Sequence, residues 1–405
     1  MLEWRTLWQA GFFNSKGAAL PRCDPMNKPP SVRLAFLDLL RGWAILVMME
    51  THVFNTLLYP SNKAKQWFGY LTFINGLVAP SFLFVSGWVF AVASSRKLDD
   101  FRAFGPAFRK QLGRILLIWV LGYTLHLPFY TYSRTKAWAT PGNWLKFCQI
   151  DILQCIAVGL LLLLLARICI KNDRTCERAV LVIGTIVVAI SPFLGRIDFM
   201  AFLPAPIALY FQDEGFSYFP LFPWLGFLLC GGVAAMAHQR WVTHNDERTF
   251  MNLLGLVGLE CVLAGIVFWD LTDLVPWTTP KVTVNPSFFA LRLGCVILLL
   301  VAFWHYSRKK PSGAALVREI SRESLLVYVS HILIIYRVSR DNQSLSSIYG
   351  NSLSLSESTA LLAGLVFLMW VAASLWTWVK KRSLRTSQGM AYSMAVMAIV
   401  LFFSN

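Results

Sequence analysis

The chain has 405 residues, 56% of them hydrophobic and only 14% charged, and a formal net charge of +16. A soluble globular chain carries about 25% charged residues, so the composition excludes a soluble domain. Continuous apolar runs without period-two alternation argue against a transmembrane β-barrel. The positive charge fits the enrichment of Lys and Arg in cytoplasmic loops and calls for no nucleic-acid partner.

Residues 1–32 hold scattered basic residues and one short apolar patch, LWQAGFF, with no apolar core leading to a small-residue cleavage site. They read as a cytoplasmic tail ahead of a single membrane domain over 33–405. Apolar runs between charged breaks then predict an all-α, polytopic membrane protein with eleven helices. In chain order these cover approximately 34–59, 71–94, 112–130, 148–168, 179–195, 219–237, 250–269, 287–306, 323–337, 357–379 and 389–403. With the N-terminus inside, the inside segments carry 26 Lys and Arg and the outside segments 9. That asymmetry predicts a cytoplasmic N-terminus and an outside C-terminus. The eight cysteines form no CxxC and no His/Cys cluster with zinc spacing, so no metal and no disulfide framework are expected.

The first span, FLDLLRGWAILVMMETHVFN (36–55), carries Asp38, Arg41, Glu50 and His52. Each ionisable group at membrane depth costs free energy unless it has a partner, a cavity or a task. A helix advances ~100° and ~1.5 Å per residue. Arg41 and His52 therefore face within ~20° of each other and stand ~16 Å apart along the axis. Asp38 and Asn55 extend that stripe, and Glu50 points roughly the other way. Asp38 and Arg41 have the i,i+3 spacing of an ion pair, so the stripe also reads as a buried polar ladder that fixes helix packing. A neutral imidazole at membrane depth titrates near working pH and can move protons, which favours a functional His52.

Later spans add further candidates. Ser86 and Gly87 in PSFLFVSG permit close approach of a neighbouring helix or a thin ligand. The segment FRKQLGR brings Arg109, Lys110 and Arg114 together at the inner side. Asp151 and Gln154, at i,i+3 near the outer entrance of the fourth span, read as a site wall or as interhelical hydrogen bonds. Arg292 needs a carboxylate or a cavity, with Asp151 a possible partner. Tyr328 and His331 are i,i+3 neighbours with acceptor-site or structural roles equally open. His126 reads as an interfacial residue, and His238 and His305 as solvated.

Arg41 and His52 have the Arg-X10-His spacing of the integral-membrane acyltransferase-3 family. The stretch RLAFLDLLRGWAILVMMETH resembles the start of the bacterial relatives of heparan-alpha-glucosaminide N-acetyltransferase. So do APSFLFVSGWVFAVA (79–93), DILQCIAVGLLLLL (151–164), YFPLFPWLGFLLCGG (218–232) and SLLVYVSHILIIY (324–336). The resemblance implies a transmembrane acyltransferase fold in a bacterial inner membrane. It implies acetyl-CoA as donor from the cytoplasm and a carbohydrate hydroxyl or amine as acceptor at the outer face. It carries the catalytic role to His52 and the motif arginine to Arg41. The lysosomal enzyme has its active histidine in the outer loop before the second span; residues 60–80 here contain none, so His52 must supply the chemistry. The acyltransferase-3 group shows a basic pair plus Arg before the third span. Arg109, Lys110 and Arg114 approximate it with different spacing and are the candidate CoA contacts.

These residues suggest acyl transfer to a glycan or amino-sugar acceptor, with His52 as general base or transient acyl carrier. Ser86, Asn55 and Gln154 are candidate donors to the thioester oxygen. A transporter or flippase for a sugar-like or lipid-linked solute, using the same polar face, is the alternative.

Overall fold

The computed structural model describes residues 34–212, 217–243, 245–269, 282–310, 314–336 and 344–404; the expected tail over 1–32 lies outside them. Two isolated bridges are the only extended pairings among the described residues. The principal helices are α1 (Ala35–Leu57), α2 (Gln66–Asn75), α3 (Val78–Ser94), α4 (Pro106–Thr124), α5 (Ile152–Cys169), α6 (Asp173–Leu194) and α7 (Leu221–Val242). They continue with α8 (Glu247–Val267), α9 (Pro286–Lys309), α10 (Ala315–Arg322), α11 (Ser324–Tyr336), α12 (Leu355–Arg382) and α13 (Leu384–Ser404).

Eight helical stretches among the described residues are long and apolar enough to cross a membrane. They are Gln66–Arg102, which contains α2 and α3, then α5 to α9, α12, and Arg385–Ser404 within α13. The expected spans over 34–59, 112–130 and 323–337 are helical as α1, α4 and α11 but lie outside that set. Ionisable residues interrupt α1 at Asp38, Arg41 and Glu50 and α4 at Arg109, Lys110 and Arg114, while α11 has only 13 residues. Among the described residues, length and apolarity carry eight of the eleven expected spans. α4 also sits nearly two turns earlier than expected. It opens at Pro106, where a missing N–H is harmless, and stops before Leu127-Pro128, because the residue before proline disfavours helical backbone.

Glycines set the closest helix crossings. A Cβ on Gly87 of α3 would overlap the Leu228 carbonyl oxygen of α7, and one on Gly231 of α7 would overlap the Phe84 carbonyl oxygen of α3. The two backbones therefore touch, as small residues allow between membrane helices. α1 is enclosed separately. Ile45, Met49, Val53 and Leu57 pack with Ile320 of α10, Val327 and Ile335 of α11, and Leu365 and Met369 of α12. This burial holds the polar stripe of α1 against α10 and α11.

Charges at helix junctions are paired. The Arg167 guanidinium, 5% exposed, donates to Asp173 Oδ1 at 2.7 Å where α5 gives way to α6. Arg240 pairs with Glu177, and Lys380 Nζ donates to Glu323 Oε2 at 2.6 Å. His238 corrects the sequence reading: it is buried between the Trp88 and Phe250 rings and lies 3.2 Å from Glu247 Oε1. It sits in the last turns of α7, where the next loop folds Glu247 back over it, a contact that hydropathy does not reveal. His305 is exposed, as expected.

Candidate active site

His52 and Thr56 are one turn apart on α1, so both reach the last residue of α11, Tyr336. The Tyr336 hydroxyl lies 3.0 Å from His52 Nδ1 and 2.8 Å from Thr56 Oγ1. The His52 and Tyr336 rings meet edge-on, with centroids 5.6 Å apart and planes at 86°. With Nδ1 engaged, Nε2 is the nitrogen left for chemistry.

His331 stands beside this pair, its ring centroid 5.3 Å from that of His52. It is 0% exposed, and its Nδ1 is 2.8 Å from the Val327 carbonyl oxygen. A carbonyl only accepts, so Nδ1 carries the proton and Nε2 is a bare acceptor. Nε2 is buried with no hydrogen-bond partner among the described residues. Leaving such a group unsatisfied costs about 1–3 kcal/mol, and uncompensated groups of this kind point to a functional demand.

One turn earlier on α11, Tyr328 donates to Asp151 Oδ2 at 3.0 Å. Asp151 Oδ2 is also 3.5 Å from His126 Nε2, within ion-pair distance but outside hydrogen-bond geometry. A polar line thus runs from Thr56, Tyr336 and His52 through His331 and Tyr328 to Asp151 and His126. It joins α1, α11, the start of α5 and the loop after α4. The sequence reading placed His126 at an interface; the structure turns it inward.

Asp151 and Gln154 have a local task. Asp151 Oδ1 accepts from the Ile152 N–H at 2.7 Å, and Gln154 Oε1 accepts from the Asp151 N–H at 3.1 Å, forming a capping box at the start of α5. Gln154 Nε2 donates to the Gln149 carbonyl oxygen at 3.2 Å, so both ends of the amide are committed. The D-x-x-Q signature ahead of an apolar run was the signal for this. Gln154→Leu should lower stability by about 1 kcal/mol through loss of the cap. A thermal melt in detergent reads this, and a larger loss of transfer than of stability would show that Gln154 touches substrate.

The remaining candidates divide. Arg41 donates through Nη2 to Asp38 Oδ1 at 3.1 Å, the expected pair, and through Nε to Ser321 Oγ of α10 at 2.9 Å. Arg41 and His52 therefore face α10 and α11, at two depths of one wall. Asn55 is exposed, and Thr56 takes the place expected for it beside His52. Glu50 lies on the opposite face, close to Asn75 of α2; its oxygens and both Asn75 amide atoms are buried without a hydrogen bond that meets normal geometry. Ser86 is half-buried on α3 beside the Gly87 crossing. Arg292 does not pair with Asp151. It donates to the Phe73 carbonyl oxygen at 2.7 Å and lies over the Phe73 and Phe288 rings, admitted by Gly76. A delocalised guanidinium can be satisfied by a carbonyl and aromatic faces where a carboxylate is absent. Arg109, Lys110 and Arg114 are exposed at the start of α4.

Two comparisons bear on what this arrangement does. No curated protein matches the chain. The family model described as heparan-alpha-glucosaminide N-acetyltransferase, catalytic, matches residues 33–264. That span contains His52, His126, Asp151 and Gln154, while Tyr328, His331 and Tyr336 follow it. The match covers more than half of the chain, so the chain belongs to the heparan-alpha-glucosaminide N-acetyltransferase catalytic-domain family, a family of membrane transferases.

Proposed function

We propose that the chain is a membrane acetyltransferase that moves an acetyl group from acetyl-CoA to an amine or hydroxyl of a sugar, with His52 Nε2 as general base. The observation that carries this reading is the His52–Tyr336–Thr56 chain beside the unpartnered His331 Nε2. In the base-competent tautomer, His52 Nδ1–H donates to the Tyr336 oxygen and the Tyr336 O–H donates to Thr56 Oγ1. That leaves the Nε2 lone pair for the acceptor's proton.

The acceptor N–H or O–H gives its proton to Nε2 as its lone pair attacks the thioester carbonyl. The tetrahedral intermediate then expels the CoA thiolate, which takes the proton back from His52. His331 Nε2 accepts a second hydrogen from the acceptor and so orients it. Asp151, through Tyr328, holds α11 in register with α5. At the other end of the stripe, Arg41 supplies positive charge for the CoA phosphates, and Arg109, Lys110 and Arg114, exposed at the start of α4, are further candidate contacts. The excess of Lys and Arg in the inside segments supports a cytoplasmic N-terminus, which puts the donor inside and the acceptor outside. A solute pathway along the same face is not favoured, because the matched family transfers acetyl groups.

Tyr336→Phe tests the hydrogen-bond chain. With acetyl-CoA and glucosamine, kcat should fall about tenfold, the cost of roughly one lost hydrogen bond in the transition state. KM should hold. An unchanged kcat would remove Tyr336 from the mechanism.

A further inference from the structure

A groove of about 800 Å³ lies against α4 and α5, walled by Trp119, Tyr123, Val158 and Tyr210 among other apolar side chains. Its size is that of a small-molecule site, about 300–1,000 Å³. Three donors meet in it. Trp119 Nε1 donates to the Tyr210 hydroxyl at 2.9 Å, and the Tyr123 and Tyr210 hydroxyls are 3.0 Å apart. Three hydrogens serve two bonds. Whichever tyrosine donates to the other, one phenolic hydrogen is left without an acceptor among the described residues, beside an apolar groove. A purely hydrocarbon occupant would leave that donor unsatisfied, at a cost. An amphiphile with a hydrogen-bond acceptor next to its chain would satisfy it.

The groove also adjoins the candidate site. Leu127 lines it, and the preceding residue, His126, approaches Asp151. Cys148 lines it three residues before Asp151. The geometry points to a binding site for the hydrocarbon chain of a lipid-linked sugar acceptor. A phosphate or ester oxygen of the linkage accepts the spare phenolic hydrogen, and the sugar lies toward Asp151 and His126. This rests on the acetyltransferase reading and names the acceptor class for it.

The test uses the full chain in detergent-free nanodiscs with acetyl-CoA and two probes, ethyl glucosaminide and dodecyl glucosaminide. The wild type should show a KM at least about tenfold lower for the dodecyl probe, since each buried methylene contributes several-fold. Chain partitioning into the bilayer also lowers KM, so variants decide. Val158→Trp fills the groove and should abolish the advantage while leaving ethyl kinetics unchanged. Val158→Phe, a gentler change, should reduce it. Equal KM values in the wild type, or an advantage that survives Val158→Trp and Val158→Phe, would overturn the site. If neither sugar is acetylated, the enzyme reading fails instead. A dodecyl glucosaminide bearing a diazirine on its chain then judges the groove alone. Crosslinks concentrated on α4 and residues 207–211 support it, and even labelling of all lipid-facing helices, as bulk lipid gives, refutes it.

Discussion

His52→Ala is expected to lower acetyl transfer by about 10²- to 10⁴-fold, the range for loss of a positioned general base. The loss should appear in kcat more than in KM, because in the proposed mechanism the imidazole acts on the acceptor's proton in the transition state and not on CoA binding. His52→Gln is the companion variant. Its amide can still reach the Tyr336 hydroxyl, so α1 and α11 stay in register, but it has no basic lone pair. Equal losses in the two variants would locate the effect in proton transfer. Recovery of most activity in His52→Gln would reduce His52 to a packing role. Labelled acetyl counted in the sugar product, alongside size-exclusion profiles of each variant, separates loss of chemistry from loss of fold. A rapid-quench mass spectrum adds a further distinction: an acetyl group on His52 would make it the transient carrier instead of the base.

Gly87→Val and Gly231→Val should be the most damaging changes to the fold. At each position the new Cβ would fall on a backbone carbonyl of the facing helix, not on a side chain that can swing away. Overpacking a flexible site costs about 1–3 kcal/mol. Here α3 and α7 must separate, so the cost should lie at or beyond the top of that range. Gly364→Ala on α12 is the control, because a Cβ there would meet nothing within 4 Å; it should be neutral or mildly stabilising. Melting of the detergent-solubilised protein, followed by loss of the monodisperse peak, reads all three. Gly87→Val melting like the wild type would mean that the two helices are not in backbone contact.

Local pattern made much of the molecule legible in advance. Apolar runs placed helices near all eleven expected positions, but α1, α4 and α11 lack the length or apolarity of the other eight. Helical geometry put Arg41 and His52 on one wall and Glu50 on another, and it paired Asp38 with Arg41. Tyr328 and His331, paired by their i,i+3 spacing, lie in the polar line beside His52. The partners that complete the site were not legible. Tyr336 is 284 residues from His52, and at the end of a short apolar run it looks like an interfacial aromatic. Thr56 was overshadowed by Asn55, whose larger polar side chain suits the stripe but points outward. Arg292 was expected to need a carboxylate or a cavity, with Asp151 a possible partner, whereas one carbonyl and two rings satisfy it. Asp151 and Gln154 were read for tertiary contacts, although their spacing also encoded a cap. In each case the missing information was a long-range contact or a competing local bond, which spacing along one helix does not contain.

The proposed reaction consumes acetyl-CoA beside His52 to acetylate a sugar. The most direct measurement is release of free CoA thiol by the purified chain in nanodiscs, with and without glucosamine. Acceptor-dependent thiol release, matched by acetylated sugar and lost in His52→Ala, is the predicted result. Movement of the sugar across a vesicle membrane with no thiol released would contradict it.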